Sequence, residues 1–192
     1  MKIFRGLAAF PRWASLLLLV GVSTAAIAGS VESDRAKIRK QSQDVLERLY
    51  AAQPGAKAAV AASKGYATFS KWGVTIGAVG GGIGRGLAVT QPTGKETFMR
   101  YVEGSAGIGL GIKKYALVFV FETEKARNDF INKGWEGGAQ ATAAAKNGSS
   151  GNAYEGAASV SPGVWVYQIT EKGLAAEVGL KGTKYYKDTA LN

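Results

Sequence analysis

Gly73-Val74-Thr75-Ile76-Gly77-Ala78-Val79-Gly80-Gly81-Gly82-Ile83-Gly84-Arg85-Gly86-Leu87-Ala88-Val89 sets glycine against branched aliphatic residues at a period close to two. Gly107-Ile108-Gly109-Leu110-Gly111-Ile112 repeats the alternation. In a strand, residues two apart share a face. One face of each run is therefore bare backbone and the other carries Ile, Val and Leu. Glycine weakens an isolated strand, so its use here implies tight curvature or close approach of another layer. The reading is a curled, Gly-rich antiparallel sheet, barrel- or sandwich-like, in an α+β domain.

Working outward, Tyr66 to Phe69 and Thr97 to Val102 read as short strands, with Pro92-Thr93-Gly94-Lys95 as a turn before the second. Tyr115 to Phe121 is almost wholly apolar and reads as a central buried strand. Glu122 to Lys133 reads as a helix, with acids early and Lys133 late, matching the macrodipole. Ala139 to Ala145 is expected to be a small-residue strand, 147–156 a polar loop, and Gly163–Thr170 with Gly173–Leu180 a hairpin around Glu171-Lys172. Residues 188–192 are expected to fray. Toward the N-terminus, residues 31–51 place Ile38, Ser42, Val45, Leu46, Leu49 and Tyr50 on one helical face. Arg35 and Arg39 lie along that apolar face, where they can snorkel. Pro54-Gly55 breaks the helix, and Ala-rich 56–64 reads as a short second one.

Residues 1–28 carry a secretory pattern: Lys2, Arg5 and Arg12, then apolar Trp13 to Val22, then Ala26-Ile27-Ala28. The alternative is an uncleaved N-terminal anchor. The expected organisation is 1–28 signal peptide, 29–55 amphipathic helix and 56–192 folded domain. Localisation is expected to be periplasmic or secreted, with peripheral membrane association.

The chain has 24 basic and 14 acidic residues. Without Lys2, Arg5 and Arg12 the count is 21 against 14, or +7. Residues 57–114 hold eight basic residues against Glu96 and Glu103, or +6, so nearly all the excess lies in the Gly-rich middle. Such a field attracts polyanions, including anionic lipid headgroups. Histidine and cysteine are absent, which removes Ser-His-Asp, Cys-His and H-E-x-x-H chemistry. No metal site and no cofactor is expected. Gly80 to Gly86 lacks the following helix of a dinucleotide fingerprint, and no Gly-Lys-Ser/Thr ends a phosphate loop. Carboxylate-pair hydrolysis would need Glu122 with Glu124, or Glu103 with Glu136, brought together. Lys71-Trp72 and Arg100-Tyr101 are adjacent, so each pair splits across a strand, and no nucleic-acid partner is expected. For anionic headgroups the candidates are Lys64, Lys71, Arg85, Lys113 and Lys114. Trp72, Arg35, Ile38 and Arg39 are candidates for membrane contact.

Residues 56–187 resemble the SYLF domain. The resemblance rests on Ala61-Ala62-Ser63-Lys64-Gly65-Tyr66-Ala67-Thr68-Phe69, on the glycine block Gly77 to Gly86, and on Gly104 to Gly111. It continues through Tyr115 to Phe121, Lys133-Gly134-Trp135-Glu136-Gly137-Gly138-Ala139 and Gly173 to Thr183. It implies a lipid-binding module for anionic phospholipids, with phosphoinositides as ligands of eukaryotic members. Some fungal relatives also bind and bundle actin. An amphipathic N-terminal segment is implicated in their membrane contact, and helix 31–51 matches that position. Ser70 stands where the family often has proline, and Tyr101 to Ala106 replaces a eukaryotic Trp-x-x-Pro-Ser stretch. Eukaryotic headgroup specificity is therefore not expected, and actin is not an expected partner of an exported bacterial-type chain. The resulting expectation is non-catalytic binding of an anionic phospholipid surface by an exported protein. The alternative is an envelope interaction module with a protein or glycan partner.

Overall fold

The computed structural model describes the backbone of residues 14–138, 154–175, 178, 180 and 182–192, and the side chains of these outside 14–28, 71–80 and 105–113. Two compact units divide between Asp34 and Arg35. The first is helical over its described residues, 14–34. The second holds everything below.

Among the described residues three helices, α1 (Ala14–Ala52), α2 (Gly55–Ala62) and α3 (Glu124–Asn132), accompany one seven-stranded sheet. Its strands are β1 (Gly65–Thr90), β2 (Lys95–Phe121), β3 (Trp135–Glu136), β4 (Ala158–Ser161), β5 (Val164–Thr170), β6 (Gly173–Leu174) and β7 (Thr183–Lys187). The several short strands read from sequence merge into the two long arms of one antiparallel hairpin, paired from Gly65↔Phe121 to Thr90↔Lys95. On its other edge β2 pairs β5 through residues 116–121 and β7 through residues 99–103. β2 is thus the spine of the sheet. The curled antiparallel α+β architecture is as expected, and the glycines show how it is reached.

The β1–β2 hairpin rolls until the two ends of β1 lie against each other. A side chain at Gly86 would collide with the Thr68 carbonyl oxygen and come within 2.6 Å of Phe69 Cε1. At Gly65 it would come within 2.6 Å of the Val89 carbonyl. Glycine is needed at both positions because backbone from the same strand passes where Cβ would be. Gly84 and Gly86 pair with Tyr101 and Met99, both buried, so in this arm the bare face turns inward against the aromatic core. Ile83 and Arg85 occupy the outer face with their register partners Val102 and Arg100.

Residues 115–121 are the expected buried centre. Leu117, Phe119 and Phe121 join the inner core, where Phe69, Phe130 and Tyr185 pack on Phe119 at centroid distances of 5.8, 4.9 and 5.0 Å. Ala116, Val118 and Val120 form the opposite layer with Val45, Leu49, Val60, Trp165, Tyr167 and Ile169. Burial on both faces explains the unbroken apolar run. The α1 segment after Asp34 therefore docks on its own domain. Ile38, Ser42, Val45 and Leu49 are buried. Thr68 Oγ1 donates to Ser42 Oγ at 2.8 Å, and Arg48 reaches the Thr170 carbonyl at 3.2 Å. Helix α3 opens on Thr123, whose hydroxyl accepts the Ala126 N–H, a standard N-cap.

Two expectations are corrected. The 188–192 tail is not frayed: Asp188 and Leu191 are buried, and Asn192 bonds Phe98 through both side-chain amide atoms at 2.8 and 3.0 Å. Among the described residues of the expected strand 173–180, Gly173–Leu174 pairs with β5, and the next strand described is β7. The expected strand 139–145 and loop residues 147–153 lie outside the described residues.

Candidate functional site

The hairpin turn, the post-Asp34 part of α1, α3 and the C-terminal tail converge on a groove of about 480 Å³. Arg35 and Arg39 come from the helix, Lys95 and Glu96 from the start of β2, and Lys187 from the end of β7. Asn128, Asn132 and Asn192 supply amides. Helical spacing sets Arg35 and Arg39 one turn apart on the same face. Both guanidinium groups lie over the Phe98 ring, at 5.7 and 5.4 Å from its centroid. Arg35 Nε donates to the Leu191 carbonyl at 3.0 Å, and Arg39 Nε donates to Glu96 Oε2 at 2.8 Å. The stack on an aromatic face holds both heads in fixed orientation. Four basic side chains thus line the groove against one acidic side chain, Glu96, which Arg39 already engages.

A second charged cluster borders it. Asp188 is 1% exposed and accepts from Arg85 Nε at 2.9 Å, with Arg100 Nε at 4.0 Å. Ala190 N–H also donates to Asp188 Oδ1 at 3.1 Å, so the carboxylate closes the tail as well as anchoring two arginines. On the inner face, the Tyr115 hydroxyl donates to Glu103 Oε2 at 3.1 Å. Burial first, then the Glu103 charge, raises the Tyr115 phenol far above the usual range. Burial pushes Tyr167 up to about 12 and Tyr185 well above its ordinary value.

The residues chosen from sequence are dispersed. Lys64 is exposed, while its backbone carbonyl accepts from Arg127 Nη1 at 2.8 Å. Arg85 is committed to Asp188. Lys114 is exposed beside Thr170, Glu171 and Lys172. Lys71, Trp72 and Lys113 have side chains outside the described residues; their backbone register pairs Trp72 with Lys114 and Gly73 with Lys113. Arg35 and Arg39 do come together, but over Phe98. Ile38 is buried, so it meets a membrane only if the helix leaves the domain. Sequence reading missed Lys95, Lys187 and Asp188 as partners of this region, because β7 and the tail carry no periodic signal that links them to β2.

Glu103 and Glu136 do not converge as a pair. Glu103 pairs Thr183 and turns inward to Tyr115, whereas Glu136 pairs the next β7 residue, exposed Lys184. Successive strand residues face opposite sides, so the sheet separates the two. Glu122 and Glu124 are exposed at the start of α3. Among the described residues no cluster of acidic side chains could hold a metal ion. No helix among them is long and apolar enough to cross a membrane.

Residues 102–192 match the family described as Ysc84, Las17-binding protein actin regulator. That stretch is similar to the Ysc84 (SYLF) domain. Beta cell expansion factor A of Aeromonas veronii is 34% identical over 158 residues, which is 82% of this chain and 58% of that protein. The chain thus spans somewhat more than half the length of this relative. SYLF domains are binding modules, associated with lipids and with actin regulation, and are not a known enzyme family. The matched stretch begins in the middle of β2 and includes Lys187 and Asn192 of the groove, while Arg35, Arg39 and Lys95 precede it.

Proposed function

We propose that the protein binds anionic phospholipid headgroups at a membrane surface, without catalysis, after export to the periplasm or exterior. The observation that carries this is the convergence of Arg35, Arg39, Lys95 and Lys187 on one groove in a chain whose residues 102–192 are similar to a family of binding modules. Guanidinium groups present planar donor forks matched to phosphate oxygens, and ammonium groups add point charge. Each basic residue held near an anionic surface contributes about 1 kcal/mol, and this falls off within a Debye length of about 8–10 Å at ordinary salt. The basic leader pattern in residues 1–28 supports export.

Co-sedimentation with phosphatidylglycerol or cardiolipin vesicles, against neutral phosphatidylcholine, tests the reading at low and high salt. Binding to anionic vesicles only, weakened by salt and by Lys95→Gln with Lys187→Gln, is expected. Absence of binding to any vesicle, with an envelope protein or glycan retained instead, would move the assignment to an interaction module.

A further inference from the structure

The outer face of the sheet carries a second surface, laid out in register across β1, β2 and β7. Its first row is glycine: Gly81 pairs Gly104, whose N–H donates to the Gly182 carbonyl at 2.9 Å. The next row is Ile83, Val102 and Lys184, and the row after that is Arg85, Arg100 and Tyr186. Strand spacing makes each row about 10 Å wide, with rows about 7 Å apart. Ile83 is 72% exposed and Val102 43%, the two large hydrophobic residues that stand out at the surface among the described residues. A Cβ built at Gly104 meets nothing within 4 Å, so the row is open at that position, whereas at Gly81 it would meet the Glu103 carbonyl at 2.9 Å.

A face of this kind is an exposed apolar pair set between bare backbone and basic side chains. Inward folding does not account for it, because the same strands already fill the core with Met99, Tyr101 and Tyr185 from their other side. Nor does strand propensity require Ile at a position so exposed, since Thr serves a solvated strand as well. The charges define what the face fits. Arg85, Arg100 and Lys184 edge it; Asp188 sits beneath the arginines with 1% exposure, and Glu136 lies beside Lys184 in register. Beyond the arginine row the same strands run on to Phe98, under Arg35 and Arg39 at the edge of the cationic groove. Together the face and groove hold seven basic side chains against Glu96, Glu136 and Asp188.

We infer that this sheet face is the membrane-apposed surface. Ile83 and Val102 enter the headgroup boundary of an anionic bilayer, the open position at Gly104 allows close approach, and Lys184, Arg85 and Arg100 meet lipid phosphates. The groove then lies at the rim of the contact, where a headgroup can enter it. The part of α1 after Asp34 stays on the domain throughout, so binding does not require Ile38, Val45 and Leu49 to leave the core. The inference rests on the reading that the protein binds anionic bilayers.

The test uses the chain in the form the producing cell accumulates, with phosphatidylglycerol-containing and pure phosphatidylcholine vesicles. Ile83→Thr with Val102→Thr keeps β-branching at both positions and leaves charge unchanged. Burying an exposed Ile and Val withdraws apolar surface from water, and the gain scales with the area buried. Partial insertion therefore predicts about a tenfold loss of partitioning in the double variant. Lys184→Gln is expected to weaken binding about fivefold. Lys37→Gln with Lys40→Gln, on the exposed side of α1, is the control and should leave binding within twofold. Ile83→Trp should tighten binding, and its indole emission should shift to the blue on anionic vesicles. If wild type binds and the Thr pair binds equally well, the face is refuted while lipid binding stands. A control pair that loses binding as much as the Thr pair would move the contact to α1 and also refute it. Should wild type bind no anionic vesicle, the lipid reading itself falls.

Discussion

Replacing Gly86 with Ala tests the claim that β1 closes on itself through glycine. The added methyl would collide with the Thr68 carbonyl and the Phe69 ring. Neither neighbour can give way cheaply. Thr68 is backbone held in the β1–β2 ladder, opposite Val118. Phe69 is 0% exposed, with ring centroids 6.1 Å from Tyr101, 5.8 Å from Phe119 and 4.7 Å from Tyr185. Overpacking a tight core costs about 1–3 kcal/mol, and an immovable neighbour places Gly86→Ala near 3 kcal/mol. In a chain of this size that is a fall in Tm of about 6–12 °C. Gly104→Ala in the same hairpin is the internal standard. Its Cβ has open space, and its φ is not positive. Restricting the unfolded chain should make that variant neutral or more stable by about 0.4–1 kcal/mol. Circular dichroism melts and guanidinium titrations of wild type and the two variants measure the difference. If Gly86→Ala melts with or above Gly104→Ala, close approach is not why the glycine is there, and the rolled hairpin is wrong.

Other expectations follow from packing and charge. Leu49→Ala removes a fully buried side chain between α1 and the Val118–Tyr167 layer and should cost about 2–5 kcal/mol; equal stability would mean that α1 does not dock. Asp188→Asn leaves Arg85 without its ion pair and should cost about 2 kcal/mol, limited because that arginine is 37% exposed; denaturant midpoints read it. The Tyr167 hydroxyl is buried without a hydrogen-bond partner among the described residues, so Tyr167→Phe should be neutral or stabilising near pH 7. Burial pushes that phenol up to about 12, so the unfolded chain ionises it near 10 while the native chain keeps it neutral. Its contribution is therefore fully present below pH 10 and lost as pH rises through 12. Denaturant midpoints measured from pH 9 to 12 should fall for wild type and fall less for Tyr167→Phe.

The local chemistry of the chain determined a good deal. Near-alternation of glycine with branched residues from Gly73 to Val89 determined strand, the apolar run Tyr115 to Phe121 determined burial on both faces, and the 31–51 periodicity determined a helix with Ile38, Val45 and Leu49 inward. These signals depend on residues within two or four positions of each other, which is the range over which backbone geometry repeats. Absence of His and Cys likewise narrowed the chemistry before any fold was known. Tertiary structure alone decided which side of the glycine arm faces the core, because alternation is symmetric until something packs on one side. It decided that Asp188 and Asn192 are tied to β1 and β2 instead of fraying, since their partners Arg85 and Phe98 are about a hundred residues away in sequence. The cationic groove was equally hidden: Arg35, Arg39, Lys95 and Lys187 share no motif. Only long-range pairing of β7 with β2, and docking of α1 across both ends of β1, brings their charges to one place.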